Sequence, residues 1–543
     1  MTRERDHGPT DPAALSRARE DLARTRGKRR LDVILDQADP AGLVRALPAD
    51  ELYLTIQEIG LGDAVQLVSL ATPEQFRTFL DLACWPGDRI APRKALPWLR
   101  AARAGSSESP VTAARWKAKV AAIDGEVLHL VFRDTLRVHD LESDPDPHLQ
   151  SDRFMRTPDN RYVLEFLVDG AEYMAVRALV DDLYAEDPFL ATRTLASIDW
   201  DLPSDLEEAA LRWRAGRLAD LGYPSRQEAL SWFARPSNRT AAPAGTPARP
   251  PGFYLERIGR NSFLARSAAL LPPAEREHVE LELVTAANAV LVADAVDPGD
   301  LEAVRAAVAT GRTFVEMGLE EASSGDVDRG AEILATTAVK SLFQRGFGRV
   351  LALEWRAERL LASGIAGTAA APLLDSPLAE MLAALARRRP LYFPGLETER
   401  DDWGTLASGA FEARPFSSSG EVARTADALT SAEGLARLGA TLGLTPTPAA
   451  GPLAPRLATL YLTALANERL GRGFVADAIP AGDLGAAARV LERIEDPRLA
   501  RAGDAGALLA ALAGTRAEEL APVRSGTDAR PEHVSAILLR SPR

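Results

Sequence analysis

A chain of 543 residues with 46% hydrophobic content is long enough to bury large cores and predicts two or more domains. Its formal net charge of −13 argues against general nucleic-acid binding, which needs a basic surface. A single cysteine, Cys84, excludes an internal disulfide and a cysteine metal cluster; its place beside Trp85, at the end of an apolar helix, marks a buried structural thiol.

Residues 1–30 read as a flexible basic arm. Met1 to Asp6 is charged and has no apolar signal region. Arg17, Arg19, Arg24, Arg26, Lys28, Arg29 and Arg30 then follow. A solvated terminus accounts for this run most simply. The other reading is an arm for an acidic partner.

From 31 to 100 the chain reads as short capped helices with little loop between them. Leu47-Pro48-Ala49-Asp50-Glu51 starts one, with proline at the first helical position. Leu52, Ile56 and Ile59 share its apolar face, and Gly60 stops it. Asp63 reads as the next N-cap. Thr72-Pro73-Glu74-Gln75 is a capping box before Phe76, Phe79, Leu80 and Ala83. Trp85-Pro86-Gly87-Asp88 ends that helix, and Pro92 opens a further one carrying Leu96 and Leu99. No helix of this length buries its face alone, so neighbours must stack, as true repeats or as an ordinary bundle.

Residues 111–140 are ambiguous. Trp116, Val120, Ile123, Val127 and Leu130 keep helical spacing, while Val127 to Phe132 also suits a strand. Glu142 to Asp152 is an acidic loop that lacks the glycine and terminal glutamate of an EF-hand. A β-hairpin is predicted within 151–168, its arms Arg153 to Thr157 and Arg161 to Phe166 joined by Pro158-Asp159-Asn160. Helical signals then return. Asp187-Pro188, Ser204-Asp205-Leu206-Glu207 and Ser225-Arg226-Gln227-Glu228 read as caps.

Composition shifts after Arg235. Residues 236–252 read as a linker or long loop, rich in proline, alanine and small polar residues. They divide an N-terminal helical domain with the hairpin, 31–235, from a C-terminal helical domain, 253–543. In the latter, Asp300 and Ser376-Pro377 read as caps. Ser323-Ser324-Gly325-Asp326 resembles a tetratricopeptide-type turn without the rest of that repeat. The apolar run Val284 to Val296 is too short and too polar to span a bilayer. The fold class predicted is mainly α, with short stacked helices, superhelical or bundle-like, and the small hairpin.

Chemistry is sparse. Phosphate-loop, dinucleotide, zincin and nucleophile-elbow motifs are absent from the sequence, and no cofactor is implied. His129, His139 and His148, with Asp144 or Asp146, are the one metal set to test, although His129 and His139 would not share a helix face. Glu165 and Asp294 sit in the most apolar settings of any acids. Burial there would raise the pKa of either and make a general acid, unless strand alternation turns Glu165 to solvent. The most binding-like cluster is Arg212, Trp213, Arg214 and Arg217, since tryptophan and arginine dominate interface hot spots. Arg217 follows Trp213 by one helical turn and would stack on it. The competing account is a core tryptophan covered by arginine stems.

Two resemblances accompany these residues. The rhythm of Leu47-Pro48-Ala49-Asp50-Glu51 within 44–99 resembles the N-terminal superhelical domain of MgtE-type magnesium transporters, which implies architecture and not transport. Most of the chain after Leu31 resembles an uncharacterised bacterial family of unknown function. Its carriers are Trp85-Pro86-Gly87-Asp88, the run from Arg212 to Pro224 and Leu342-Phe343-Gln344-Arg345-Gly346-Phe347. That resemblance implies no activity. The functional expectation is a cytoplasmic protein-interaction scaffold or adaptor, with a protein partner and no membrane insertion. The rivals are an enzyme built from dispersed carboxylates and arginines, and a regulatory module using the N-terminal arm.

Overall fold

The computed structural model describes residues 21–22, 25–106, 108–198, 200–234, 262–368, 372–406, 409–444, 455–525 and 534–540. The chain divides into two compact units, Met1–Gln344 and Arg345–Arg543. Both are mainly helical.

The first unit opens on α1 (Arg29–Leu35), α2 (Pro40–Ala46), α3 (Ala49–Ile59), α4 (Val65–Leu70), α5 (Pro73–Ala83), α6 (Ala95–Arg103), α7 (Pro110–Ala122) and α8 (Gly125–Thr135). Proline and a side-chain cap set the starts of α2, α5 and α7, while Pro48 is the N-cap of α3 and not, as expected, its first residue. Thr72 and Gln75 form the expected capping box. The Gln75 amide also donates to the carbonyls of Val44 and Leu47, both at 2.8 Å. One side chain thus closes the start of α5 and the end of α2. Tyr53 from α3, Phe79 from α5 and Trp98 from α6 meet in the core, with Trp98 5.3 Å from each of the other two rings. Cys84 is fully buried, and burial pushes its thiol up to about 12, so it is inert at neutral pH.

Three local expectations change. Asp63 does not cap α4; it pairs with Lys28 at 2.6 Å. Arg30 is not part of a solvated arm. It is buried and pairs with Glu58 at 3.2 Å, so the fold begins before residue 31. Arg17, Arg19 and Arg24 lie outside the described residues. Residues 127–132 are helix, within α8, and a strand starts just after it.

That strand, β1 (Leu136–Asp140), joins the expected hairpin of β2 (Phe154–Arg156) and β3 (Tyr162–Phe166). The sheet is antiparallel in the order β1-β3-β2. Leu136 faces Phe166 and Phe154 faces Glu165. Asn160 takes the left-handed conformation that closes the hairpin turn. The central strand β3 is buried along its whole length.

Helices follow: α9 (Gly170–Glu186), α10 (Pro188–Ser197), α11 (Pro203–Asp220), α12 (Arg226–Trp232), α13 (Phe263–Ala269), α14 (Pro273–Ala293), α15 (Leu301–Ser323), α16 (Val327–Thr336) and the start of α17 (Val339–Ala362). Asp187, Ser225 and Asp300 cap α10, α12 and α15 as expected. Ser204 does not cap α11, which begins on Pro203 after Leu202. The Ser323–Asp326 turn links α15 to α16, with Ser324 left-handed and Asp326 capping.

Residues 236–252, expected as the domain linker, are outside the described residues, and the compact units divide later, at Gln344. The packing explains this. Phe343 meets Trp232, Phe233 and Phe314 at 5.5, 5.1 and 5.3 Å between ring centroids. The Asn288 amide donates to the Gly222 carbonyl at 3.2 Å, and the Gln344 amide donates to Ser231 at 2.9 Å. Helices on both sides of 236–252 therefore share one core.

The second unit holds α18 (Leu378–Leu385), α19 (Ser419–Thr441), α20 (Leu457–Arg469), α21 (Leu484–Val490), α22 (Pro497–Arg501), α23 (Gly503–Glu518) and α24 (Ala521–Arg524), with a short parallel pair, β4 (Ile479–Pro480) and β5 (Leu539–Arg540). Every residue of α20 from Leu457 to Asn467 is buried, as an all-round apolar helix must be. The buried Asp375 carboxylate accepts from the Ala458 amide at 3.0 Å and from Arg516 at 3.4 Å, which caps that central helix. Ser376, expected as a cap for α18, donates to Glu380 instead. At Gly506 a Cβ would collide with the Leu499 backbone carbonyl. Gly506→Ala should lower the stability of this unit by roughly 1–3 kcal/mol, the usual cost of overpacking. A denaturant melt checks it, and an unchanged midpoint would show that α22 yields freely.

Among the described residues, no helix is long and apolar enough to cross a membrane.

Candidate functional site

Helix α11 carries all four residues of the predicted cluster, and the fold splits them. Arg214 and Arg217 turn inward. The Arg217 guanidinium holds Asp81 of α5 at 2.7 and 2.8 Å, and Asp124, just before α8, at 2.6 and 3.3 Å. Burial alone would lower its pKa, but the hydrogen bonds and charges of Asp81 and Asp124 outweigh that and raise it. Asp81 is itself buried, and burial raises its carboxyl despite Arg217. Arg214 donates to the Asp81 carbonyl at 2.8 Å, and its guanidinium lies 5.2 Å from the Trp85 ring centroid.

These two arginines are therefore an internal tie. The tryptophan under an arginine is Trp85 and not Trp213. Arg217 does not stack on Trp213; its guanidinium reaches inward to Asp81 and Asp124 while the indole stays exposed. The other two residues face out. Arg212 is exposed and reaches Glu208 at 3.4 Å. Trp213 is 59% exposed.

Trp213 does not stand alone. Leu206, Ala209 and Trp213 lie at helical spacing, within about 60° of one another around α11. Leu206 and Ala209 are half-buried. Leu202, at the N-cap, is 62% exposed and precedes Leu206 by one turn. Trp200, just before it, is 85% exposed. The result is an apolar line of about 16 Å from Leu202 to Trp213, at ~1.5 Å per residue, with the exposed Trp200 two residues before its head.

The head of this line is clamped from beneath. Arg133 of α8 donates to the carbonyls of Ile198 and Asp201 at 2.6 and 3.0 Å. His129, also on α8, is buried, and burial lowers its pKa. Its Nδ1 lies 3.4 Å from the Ser197 hydroxyl and 3.5 Å from the Asp201 carboxylate. These three residue types suggest a hydrolase triad, but the geometry does not serve one. Serine and aspartate face the same ring nitrogen, and Nε2 is buried without a partner, so no proton passes through the ring. The cluster instead fixes the turn that presents Trp200.

The remaining sequence candidates disperse. His139 contacts Glu165 at 3.3 Å, His129 sits under the 197–201 turn and His148 is exposed. Among the described residues no group of three or more metal-binding side chains converges. Glu165 is buried, not on a solvent face. Burial would raise its pKa, but His139, the amides of Gln150 and Ser151, and Arg137 together hold it below the usual range. It is an anion that pins the acidic loop to the sheet, with the Gln150 amide at 2.6 Å, and not a general acid. Asp294 is exposed at the end of α14 and occupies no apolar pocket.

Several buried ionisable groups escaped sequence reasoning, Asp50 and Lys119 among them. Asp50, in the first turn of α3, is buried and its carboxyl is pushed up to about 7 by desolvation. Lys119 is buried within α7, and burial pushes its amine down to about 8. It donates to the Ser69 carbonyl near the end of α4 at 2.8 Å. Asp50 reads in sequence as an ordinary first-turn acid and Lys119 as a solvent-facing lysine of an alanine-rich helix, so neither carries a local signal.

Comparison with known proteins adds a family without an activity. The model of a family described as a family of unknown function matches residues 9–527. No curated protein and no solved structure matches the chain. The likeness of 44–99 to the magnesium-transporter domain gains no support.

Proposed function

The chain belongs to DUF6178, a family of unknown function, and we propose that it is a cytoplasmic protein-interaction scaffold that binds a protein partner through the outer face of α11. The observation that carries this reading is the exposed line from Trp200 through Leu202 to Trp213. Large apolar side chains aligned on one exposed face mark interaction sites, whereas scattered ones do not. Tryptophan is also the residue that most often carries interface energy. Arg133 and His129 tie Ile198 and Asp201, at the head of this line, to α8. The enzyme alternative loses support from both of its named acids, since Glu165 is held as an anion by internal donors and Asp294 is exposed.

The test is a crosslinking pull-down with the full chain and its Trp200→Ser, Trp213→Ser double variant. Partner capture should fall at least ~tenfold, a loss of about 1.4 kcal/mol, while the melting temperature stays within about 1 °C because the replaced side chains are exposed. Full capture by the double variant would remove this face as the binding surface.

A further inference from the structure

The α11 face carries charge as well as apolar surface, and the charge specifies the partner. We infer that the partner presents a basic amphipathic helix, laying its apolar side along Leu202, Leu206 and Trp213. This rests on the scaffold reading and adds the chemistry of the occupant. The line is about 16 Å long and straight, so about three turns of a facing helix cover it. Asp201 and Asp205 are exposed at its head. Arg212 and Glu208 lie away from the line and pair with each other, so neither adds net charge to it. A lysine- or arginine-flanked helix meets the two carboxylates at the head with complementary charge. The chain's net charge of −13 steers such a partner from a distance.

The same charges disfavour the other occupants. A symmetric pair of copies using this face would bring two acidic heads into one interface, with Arg212 already committed to Glu208. Nucleic acid and anionic lipid surfaces are repelled for the same reason.

The experiment uses the full chain and three fluorescent probe peptides. The first is a designed helix with leucines on one side and lysines on the other. The second replaces each lysine with glutamate. The third keeps the lysine composition in a scrambled order without an apolar face. The leucine–lysine helix should bind saturably. Its affinity should fall at least ~tenfold with Trp200→Ser, Trp213→Ser, and fall by a smaller factor with Asp205→Asn or added salt. The other two peptides should bind at least ~tenfold more weakly. Equal binding of the glutamate helix, or of the scrambled peptide, would overturn the charge assignment and leave the scaffold reading intact. Sedimentation showing a wild-type dimer that the double variant lacks would assign the face to a second copy and overturn the inference. No binding of any helix, together with full partner capture by the double variant, would overturn both.

Discussion

Arg217→Ala is expected to destabilise the first unit by about 3–5 kcal/mol, the range found when one partner of a buried ion pair is removed. The Asp81 carboxylate is buried, and Arg217 supplies two of its hydrogen bonds at 2.7 and 2.8 Å. Without them the carboxylate keeps its desolvation cost and loses its counter-charge. Asp124 loses the same partner, so the packing of α11 on α5 and α8 weakens at both contacts. Arg217→Met keeps much of the stem and should cost nearly as much, because the charge and not the volume is at stake. Pairing Arg217→Met with Asp81→Asn should recover part of the loss, since the double variant leaves no buried charge behind. Trp213→Ser, four residues away on the exposed face, should cost no more than about 0.5 kcal/mol. Urea melts of the four variants check the pattern. A Trp213→Ser cost as large as that of Arg217→Ala would mean that the Trp213 indole is packed and not exposed.

This contrast shows what was legible in the sequence. The run from Arg212 to Arg217 stands out by residue type, and it does lie at the junction of a core and a surface. Which residues face which way is not written locally. Helix α11 has apolar side chains around much of its circumference, including Leu206, Ala210, Trp213 and Leu218. Periodicity alone therefore selects no single inner face. The choice is made by Asp81 and Asp124, which are remote in the chain. The same holds for β1, whose partner β3 begins more than 20 residues later, after the acidic loop. A pairing with that separation leaves no turn signature beside it, unlike the hairpin closed by Pro158-Asp159-Asn160. Helix starts were the opposite case. Pro73 at the first position and the Thr72–Gln75 box act within a few residues, so they are readable and they are found, whereas Pro48 falls one position earlier, at the N-cap. Ser204 and Asp63 failed as caps for a local reason too. Pro203 already starts α11 one residue earlier, and Asp63 is drawn off by Lys28.

The second large effect is a dependence of stability on pH that Asp50 controls. Its carboxyl, ordinarily near 3.8, is pushed up to about 7 by burial, and the adjacent Glu51 adds to the rise. The Glu51 amide donates to it at 3.0 Å, which offsets part of the penalty. A carboxyl whose folded-state pKa lies above its unfolded value favours the folded state most when both states are protonated. That contribution is fully present below about pH 3.8 and is lost as pH rises through about 7. Between these limits it amounts to about 4 kcal/mol at ~1.4 kcal/mol per pH unit, so the native unit carries that penalty at pH 8. Asparagine keeps the acceptor for the Glu51 amide and has no charge to desolvate. Asp50→Asn should therefore be indistinguishable from wild type near pH 4. It should be more stable by about 2–4 kcal/mol at pH 8, with the difference opening across the window between. Subtracting the variant's stability from that of the wild type at each pH isolates this carboxyl from the others that titrate in acid. A difference that stays flat from pH 4 to 8 would mean that Asp50 is ionised throughout. The first turn of α3 would then have to be solvated, and Asp50 would be a conventional acid at a helix N-terminus.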